Sequence, residues 1–243
     1  MDIALQLWSI KEEVEENFDN ALGLVEKAGY NGVEFAGYHG RSPEDLQKML
    51  AAHHLKAVGA HVGIDRFRTA FDEEMAYAKA LGFRFLICPW LDCNSEEEII
   101  ADAKVLEECA QKARAEGLVV AYHNHDQEFK KFGARYALDI ILDNAPSVKW
   151  EADVFWVAFA GLDPVAHMRP YVESGRVCLV HAKEIAKTGT GNVYIGEGRI
   201  DFMAVAQLCP PAEYTFIVEQ EEFTSDHYDA ICKCIQGLRK ALV

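Results

Sequence analysis

The 243-residue chain has no excess of basic residues, no long apolar run and no signal-peptide pattern. Its 24 Lys and Arg stand against 39 Asp and Glu, a formal charge of −15 that disfavours nucleic acid or an anionic membrane as partner. No apolar stretch approaches the ~20 residues needed to span a bilayer. The amino-terminal segment lacks a basic region and a small-residue cleavage site, so we predict a cytoplasmic protein.

Cysteine pairs with metal or disulfide spacing are also missing. The seven cysteines are scattered, and none forms a CxxC pair. This pattern favours reduced thiols. The alternative is a catalytic cysteine, for which Cys88 has the most suitable position, at a predicted strand end before Pro89 and Trp90.

Glycine-rich phosphate motifs and interdomain linkers are absent as well. The sequence contains neither GxGxxG nor GxxxxGK[ST], which excludes the common dinucleotide and nucleoside triphosphate sites, and it contains no HExxH. No stretch rich in Pro, Gly or Ser divides the chain. We therefore expect residues 1–243 to form one domain.

What the sequence does contain is a regular alternation of short apolar runs and amphipathic stretches. Eight β-then-α units follow one another in about 250 residues, which is typical of a closed (β/α)₈ TIM barrel. An open doubly wound sheet is the alternative, but residues 8–11 after the first run are not a glycine-rich turn. The predicted strands are residues 3–8, 32–36, 56–62, 84–90, 118–125, 148–153, 176–183 and 214–220.

Ionisable side chains recur at the predicted carboxyl ends of these strands, where such a barrel carries its chemistry. Asp153, His181 and Glu219 end three consecutive strands. Carboxylates and an imidazole converging from adjacent strands suit a divalent metal with mixed oxygen and nitrogen ligands. Further polar residues at or just after strand ends are Gln6, Glu34, His61, His123, His125, Glu128, Glu151 and Lys183.

Several segments together resemble one known family. They are QLWS (6–9), AGYNGVEFAG (28–37), AYHNHDQEF (121–129), EADVFWVAFAGLDPV (151–165), VHAKE (180–184), GEGRIDF (196–202) and VEQE (218–221). Over essentially its whole length the chain resembles the xylose isomerase-like TIM barrels, the superfamily of sugar phosphate isomerases and epimerases, and in particular its YHNHDxEF branch.

This resemblance implies one divalent metal held by Glu, Asp, His and Glu from strands five to eight. Asp153, His181 and Glu219 match three of these ligands. We take Glu128 as the fourth, with His123 as the alternative, because the fifth strand itself carries no Glu. The resemblance favours Mn²⁺, with Co²⁺, Mg²⁺, Fe²⁺ and Zn²⁺ open.

The implied reaction is isomerisation or epimerisation of a keto-sugar or related polyol, which begins with removal of the proton α to a carbonyl. Glu128 and Glu219 are the predicted acid–base pair, and Lys183 is predicted to hold a substrate oxygen. The predicted substrate-binding residues are Trp8, His61, His123, His125 and Trp156.

Other functions remain open at this stage. The same chemistry supports a metal-dependent lyase or dehydratase acting on 3-oxo-glycosides or inososes, and a non-catalytic sugar-binding barrel is a further alternative. DNA-repair endonucleases share the superfamily's barrel, but the charge of −15 argues against that function. The expected partner is a small carbohydrate. The chain length and short loops favour completion of the pocket by a neighbouring subunit in a homo-oligomer, and the resemblance to 3-oxo-glycoside lyases of this superfamily adds a small partner subunit as an alternative.

Overall fold

Eight parallel strands close into a barrel in the computed structural model, which describes residues 2–242. Consecutive barrel strands are neighbours, and the first strand pairs with the eighth. This closure confirms the predicted fold class and excludes the open sheet. The barrel strands, numbered here one to eight, are Ile3–Gln6, Gly32–Ala36, Lys56–His61, Phe85–Cys88, Val119–His123, Lys149–Asp153, Val177–Ala182 and Thr215–Val218.

Helices cover the outside of the barrel, and local sequence signals set several of their starts. The Ser42 side chain caps one helix by accepting a hydrogen bond from the Asp45 amide, with Pro43 as the first helical residue. Ser95 caps the longest helix in the same way. The α-helices are Lys11–Glu16, Phe18–Ala28, Pro43–Ala52, Ile64–Thr69, Phe71–Leu81, Glu96–Ala115, Ala137–Asn144, Val154–Phe159, Pro164–Glu173, Phe202–Leu208 and His227–Ala241.

Two small antiparallel strand pairs lie outside the barrel. One pairs Lys131–Phe132 with Arg135–Tyr136, and the other pairs Glu184–Ile185 with Asn192–Val193. Neither pair was predicted, because two-residue strands carry no periodic signal. The second pair begins just after the seventh barrel strand.

The barrel interior is apolar in one layer and polar above it. Five buried residues from strands one, four, five, seven and eight form a small apolar cluster inside the barrel, namely Ala4, Ile87, Ala121, Leu179 and Ile217. A much larger apolar core fills the space between strands and helices. The apolar interior layer leaves the carboxyl ends of the strands for polar side chains. Among the described residues, no helix combines the length and the apolar character that crossing a membrane requires.

Candidate metal and active site

The carboxyl ends of the strands bring a group of buried polar side chains together inside one end of the barrel. Neighbouring strands place them level with one another, since Asp153 stands opposite His181 and His123 stands opposite Glu151. Charged side chains are buried in this way only where they are paired or hold an ion. The fully or almost fully buried members are Gln6, Glu34, His123, Glu151, Asp153, His181 and Glu219.

Four of these residues, His123, Asp153, His181 and Glu219, form what we call the outer set. One potential ligand atom from each lies within 4.8 Å of the others. His181 Nδ1 is 3.4 Å from Glu219 Oε2 and 3.9 Å from Asp153 Oδ2. Asp153 Oδ1 accepts a hydrogen bond from the Trp156 amide, whereas its buried Oδ2 has no hydrogen-bond partner within residues 2–242. The outer set therefore offers two carboxylates and two imidazoles around one small volume.

Next to the outer set, Glu34, His61 and Glu151 form a second cluster, which we call the inner group. Glu34 Oε2 accepts a hydrogen bond from Gln6 Nε2 at 2.7 Å. The same oxygen lies 2.8 Å from His181 Nε2 and 3.1 Å from His61 Nε2. Glu151 Oε2 lies 2.9 Å from His61 Nε2. The inner group thus contacts the outer set through His181.

Irregularities in strand pairing position both carboxylates of the inner group. The register between strands two and three shifts between Val33 and Glu34, and the register between strands six and seven shifts between Trp150 and Glu151. A bulge redirects the side chains that follow it and is common beside active sites. Both glutamates thereby enter the barrel interior.

Burial makes two of the carboxyl groups hard to ionise. Burial raises the pKa of Asp153 to about 7, against the opposing charge of Lys183. Burial and the nearby Glu34 carboxylate raise the pKa of Glu151 to about 7. Proximity of a divalent cation would favour the charged form of both groups.

The other two carboxylates are held ionised by neighbouring cations. Burial works against the charge on Glu219, but Lys183 and His181 outweigh it and hold its pKa below the ordinary value. Burial likewise opposes ionisation of Glu34, but His61 and His181 lower its pKa well below the usual range. Glu219 is therefore a charged base near neutral pH.

Two of the imidazoles, those of His123 and His61, also differ from each other in charge. Burial, with His181 nearby, lowers the pKa of His123 well below its ordinary value, so its ring is neutral and keeps a lone pair for a metal. Burial also opposes protonation of His61, but Glu34 and Glu151 raise its pKa to about 10. His61 is thus a proton donor at neutral pH.

A cavity of about 470 Å³ opens above these residues. Trp8 and Trp90 are 46% and 47% exposed, and the two indoles give the cavity apolar walls. A pocket of this size with a few polar groups is typical of a small-molecule site. The polar and aromatic residues that line it include Trp8, His61, Trp90, His123, His125 and Glu219.

Lys183 is a buried cation beside the cavity. Its Nζ lies 3.8 Å from Glu219 Oε2 and pairs with Glu221. The ammonium also lies over the rings of Phe155 and Trp156, at 4.9 and 4.7 Å from their centroids. Ion pairs and ring faces together compensate for the cost of burying this charge.

The structure therefore places most of the predicted site residues at one end of the barrel. The predicted ligands Asp153, His181 and Glu219 lie together, and Lys183 is adjacent to them. Trp156 packs against His125, with ring centroids 5.3 Å apart. The predicted substrate-binding residues that line the cavity are Trp8, His61, His123 and His125.

Glu128 requires a correction, because the structure places it outside this group. Its Oε1 accepts a hydrogen bond from Tyr122, which packs in the core between strands and helices, and its Oε2 accepts one from the His125 amide at 2.7 Å. The chain enters a short 3₁₀ turn at Gln127 after strand five, which directs Glu128 behind the strand. His123, the alternative ligand, occupies the outer set instead.

Cys88 does not have the surroundings of a nucleophile. The side chain is buried, and its thiol donates to the Trp90 carbonyl at 3.4 Å. Burial raises the pKa of this thiol to about 12, whereas a reactive cysteine needs a lowered value.

Glu34 and Glu151 also lie at this candidate site, and neither has a role predicted from the sequence. Glu34 lies between Val33 and Phe35 in GVEFA, and Glu151 lies between Trp150 and Ala152 in KWEAD, so both have buried apolar neighbours along their strands. An acid inside a buried strand is itself a signal, because it must find a partner.

A barrel with a buried imidazole and carboxylate centre at the carboxyl ends of its strands is a common enzyme architecture. The chain belongs to the family described as xylose isomerase-like TIM barrel, whose sequence profile matches residues 22–230. Among curated proteins, none matches this chain.

Solved structures share the fold at low sequence identity. A sugar phosphate isomerase/epimerase from Parabacteroides distasonis is 20% identical, with a TM-score of 0.83 over 100% of this chain and 95% of that one. The probable 3-DHS dehydratase AsbF from Bacillus anthracis is 15% identical, with a TM-score of 0.76 over 98% and 99% of the two chains. The IOLI protein with a bound zinc atom is 18% identical, with a TM-score of 0.71 over 99% and 96%.

Proposed function

We propose that this protein is a divalent-metal-dependent isomerase or epimerase of a keto-sugar or related polyol. The observation that carries the proposal is the outer set, a cluster of two carboxylates and two imidazoles beside a 470 Å³ cavity. Proton abstraction α to a carbonyl needs a base and a cation that stabilises the developing negative charge. Glu219, which lines the cavity, and Lys183 beside it support the proposal as these two groups.

The outer set fits a resident metal ion. Its donors are two oxygens and two nitrogens, a mixture that suits Mn²⁺, Fe²⁺, Co²⁺ or Zn²⁺ better than Mg²⁺. The unpartnered Asp153 Oδ2 supports this assignment, because a buried oxygen without a hydrogen bond among the described residues is costly unless an ion contacts it. We expect Mn²⁺, held by His123, Asp153, His181 and Glu219. A bound divalent ion would stabilise the negative charge that develops on the substrate oxygens.

The remaining steps fall to the protein's own side chains. Glu219 lines the cavity and is held ionised, so it is the proposed base that removes the proton. Lys183, next to Glu219, is proposed to stabilise charge on a substrate oxygen. Epimerisation also needs an acid that returns the proton, and His61 is the protonated group that lines the cavity. His61 therefore replaces Glu128 in the proposed acid–base pair.

Elimination is the second candidate function. It begins with the same proton abstraction and differs only when a leaving group on the neighbouring carbon departs. The half-exposed Trp8 and Trp90 favour it, because two indoles at the rim suit a substituted sugar such as a 3-oxo-glycoside. The similar structure of a probable dehydratase supports the same reading at the level of the fold.

Solvent-deuterium exchange tests the proposed function before a product is known. The Mn²⁺-loaded protein is incubated in D₂O with free ketoses, 3-oxo-glucosides and inososes, and deuterium at the carbon α to the carbonyl is measured by mass spectrometry. We expect Glu219→Gln to slow the exchange about 100-fold or more. Glu222→Gln is the matched control, because Glu222 is an exposed carboxylate three residues after Glu219, and we expect a change below about twofold. Exchange that survives Glu219→Gln or metal removal would contradict the mechanism, and no exchange across the panel would contradict the proposed reaction.

A further inference from the structure

One oxygen of the inner group has an unusual set of neighbours. Glu151 Oε2 lies 2.9 Å from His61 Nε2, 3.2 Å from His123 Nδ1 and 3.4 Å from His181 Nε2. The three imidazoles come from strands three, five and seven. A carboxylate oxygen has two lone pairs and cannot accept three good N–H hydrogen bonds at once. Hydrogen bonding to Glu151 Oε2 therefore does not account for all three imidazoles around this oxygen.

The second oxygens of the inner carboxylates are unpaired. Glu34 Oε1 and Glu151 Oε1 are buried, and neither has a hydrogen-bond partner among residues 2–242. Both residues are inaccessible to solvent. Leaving such oxygens without a partner costs about 1–3 kcal/mol each or more. Both buried carboxylates thus retain unused coordinating capacity.

The spacing of the donors matches the spacing around a metal ion. One nitrogen from each of His61, His123 and His181 and one oxygen of Glu151 lie within 4.8 Å of one another. Donors at about 2.1 Å from one ion stand about 3.0 to 3.4 Å apart in octahedral or tetrahedral geometry. The contacts of 2.9, 3.2 and 3.4 Å made by Glu151 Oε2 are close to this range.

We propose that His61, His123, Glu151 and His181 form a second divalent-cation site beside the outer set. Three imidazoles and one carboxylate favour Zn²⁺, Co²⁺ or Fe²⁺ over Mg²⁺. Glu34 beside them adds a second negative charge that offsets the cation. This site goes beyond the proposed function, since it needs no sugar and no contribution from Asp153 or Glu219.

The two sites compete for shared ligands. His181 turns Nε2 toward the inner group and Nδ1 toward Glu219, and His123 belongs to both sets. A neutral imidazole offers one lone pair, because its other nitrogen carries a proton. The protein therefore holds one ion at a time, either in the outer set or in the second site.

Metal content of three variants tests this arrangement. Each protein is stripped with chelator, reloaded with Zn²⁺ and dialysed, and zinc per chain is measured by inductively coupled plasma mass spectrometry. We expect one ion in the wild type, one in Asp153→Asn/Glu219→Gln and one in His61→Asn/Glu151→Gln. The variant with all four substitutions is expected to bind none. X-ray absorption should count about three imidazoles on the ion in the first double variant and about two in the second.

Several outcomes would overturn the proposal. Folded Asp153→Asn/Glu219→Gln protein without zinc would refute the inner site, and two ions in the wild type would refute the competition. If circular dichroism shows that a double variant does not fold, the single variant Glu219→Gln is measured instead. X-ray absorption should then count three imidazoles on the bound zinc, and a count of two would contradict the second site. Failure of the proposed function appears instead as absent deuterium exchange in the wild type, so the two failures are distinguishable.

Discussion

Replacing Glu128 by Gln should change how the stability of the protein depends on pH. Burial raises the pKa of Glu128 from 4.5 to about 7. The folded state therefore binds this proton more tightly than the unfolded chain does. The resulting stability is fully present below about pH 4.5 and is lost as the pH rises to about 7. At about 1.4 kcal/mol for each pKa unit, the total loss is about 3 kcal/mol.

Glu128→Gln removes this titration, so the variant should gain on the wild type by about 2.5 kcal/mol between pH 5 and pH 8. Urea unfolding followed by circular dichroism at several pH values in this interval measures the difference. Glu15→Gln is the matched control, because Glu15 is exposed, and we expect its effect to stay within about 0.5 kcal/mol throughout. A constant difference between the wild type and Glu128→Gln across the interval would refute the account of Glu128 as a buried, mostly protonated carboxyl.

Three further predictions concern the residues around the site. Glu34→Gln should weaken binding of the metal about 10- to 100-fold in a chelator competition, because Glu34 orients His181, and unchanged affinity would contradict that role. Asn124→Ala should lower the free energy of unfolding in urea by about 1–3 kcal/mol, because Asn124 Oδ1 accepts the buried Trp150 indole N–H, and a loss below about 0.5 kcal/mol would argue against it. Cys88 should resist alkylation by iodoacetamide in the native protein and react after unfolding, as peptide mass mapping would show, whereas rapid native labelling would indicate an accessible thiol.

The barrel fold and the proximity of three residues of the outer set could be predicted from the sequence for one physical reason. Parallel strands joined by helices bring all their carboxyl ends to the same edge of the barrel. Asp153, His181 and Glu219 stand at such ends, so their proximity could be predicted without any local motif. Long separations along the chain do not matter once the fold is known.

Glu128 could not be placed in this way because it follows its strand by several residues. Its direction depends on the 3₁₀ turn after His123 and on the hydroxyl of Tyr122, which binds its carboxylate. A turn of this kind has no strong sequence signal. The alternative ligand, His123, is the last residue of strand five, and the fold therefore brings it close to Asp153 and His181.

The two carboxylates of the inner group, unlike His61, have no predicted role, and the reason is a different one. Glu34 and Glu151 lie at register shifts, and a shift of one residue reverses the face to which a side chain points. Strand periodicity read from the sequence assumes regular pairing. Strand periodicity therefore does not predict whether the side chains of Glu34 and Glu151 point into the barrel or away from it.

Anomalous X-ray diffraction from crystals of the Mn²⁺-loaded wild-type protein tests the central claim most directly. The account predicts one dominant anomalous peak surrounded by His123, Asp153, His181 and Glu219, with Glu128 outside its coordination sphere. No peak at the carboxyl ends of the strands, or a peak ligated by Glu128, would contradict the account.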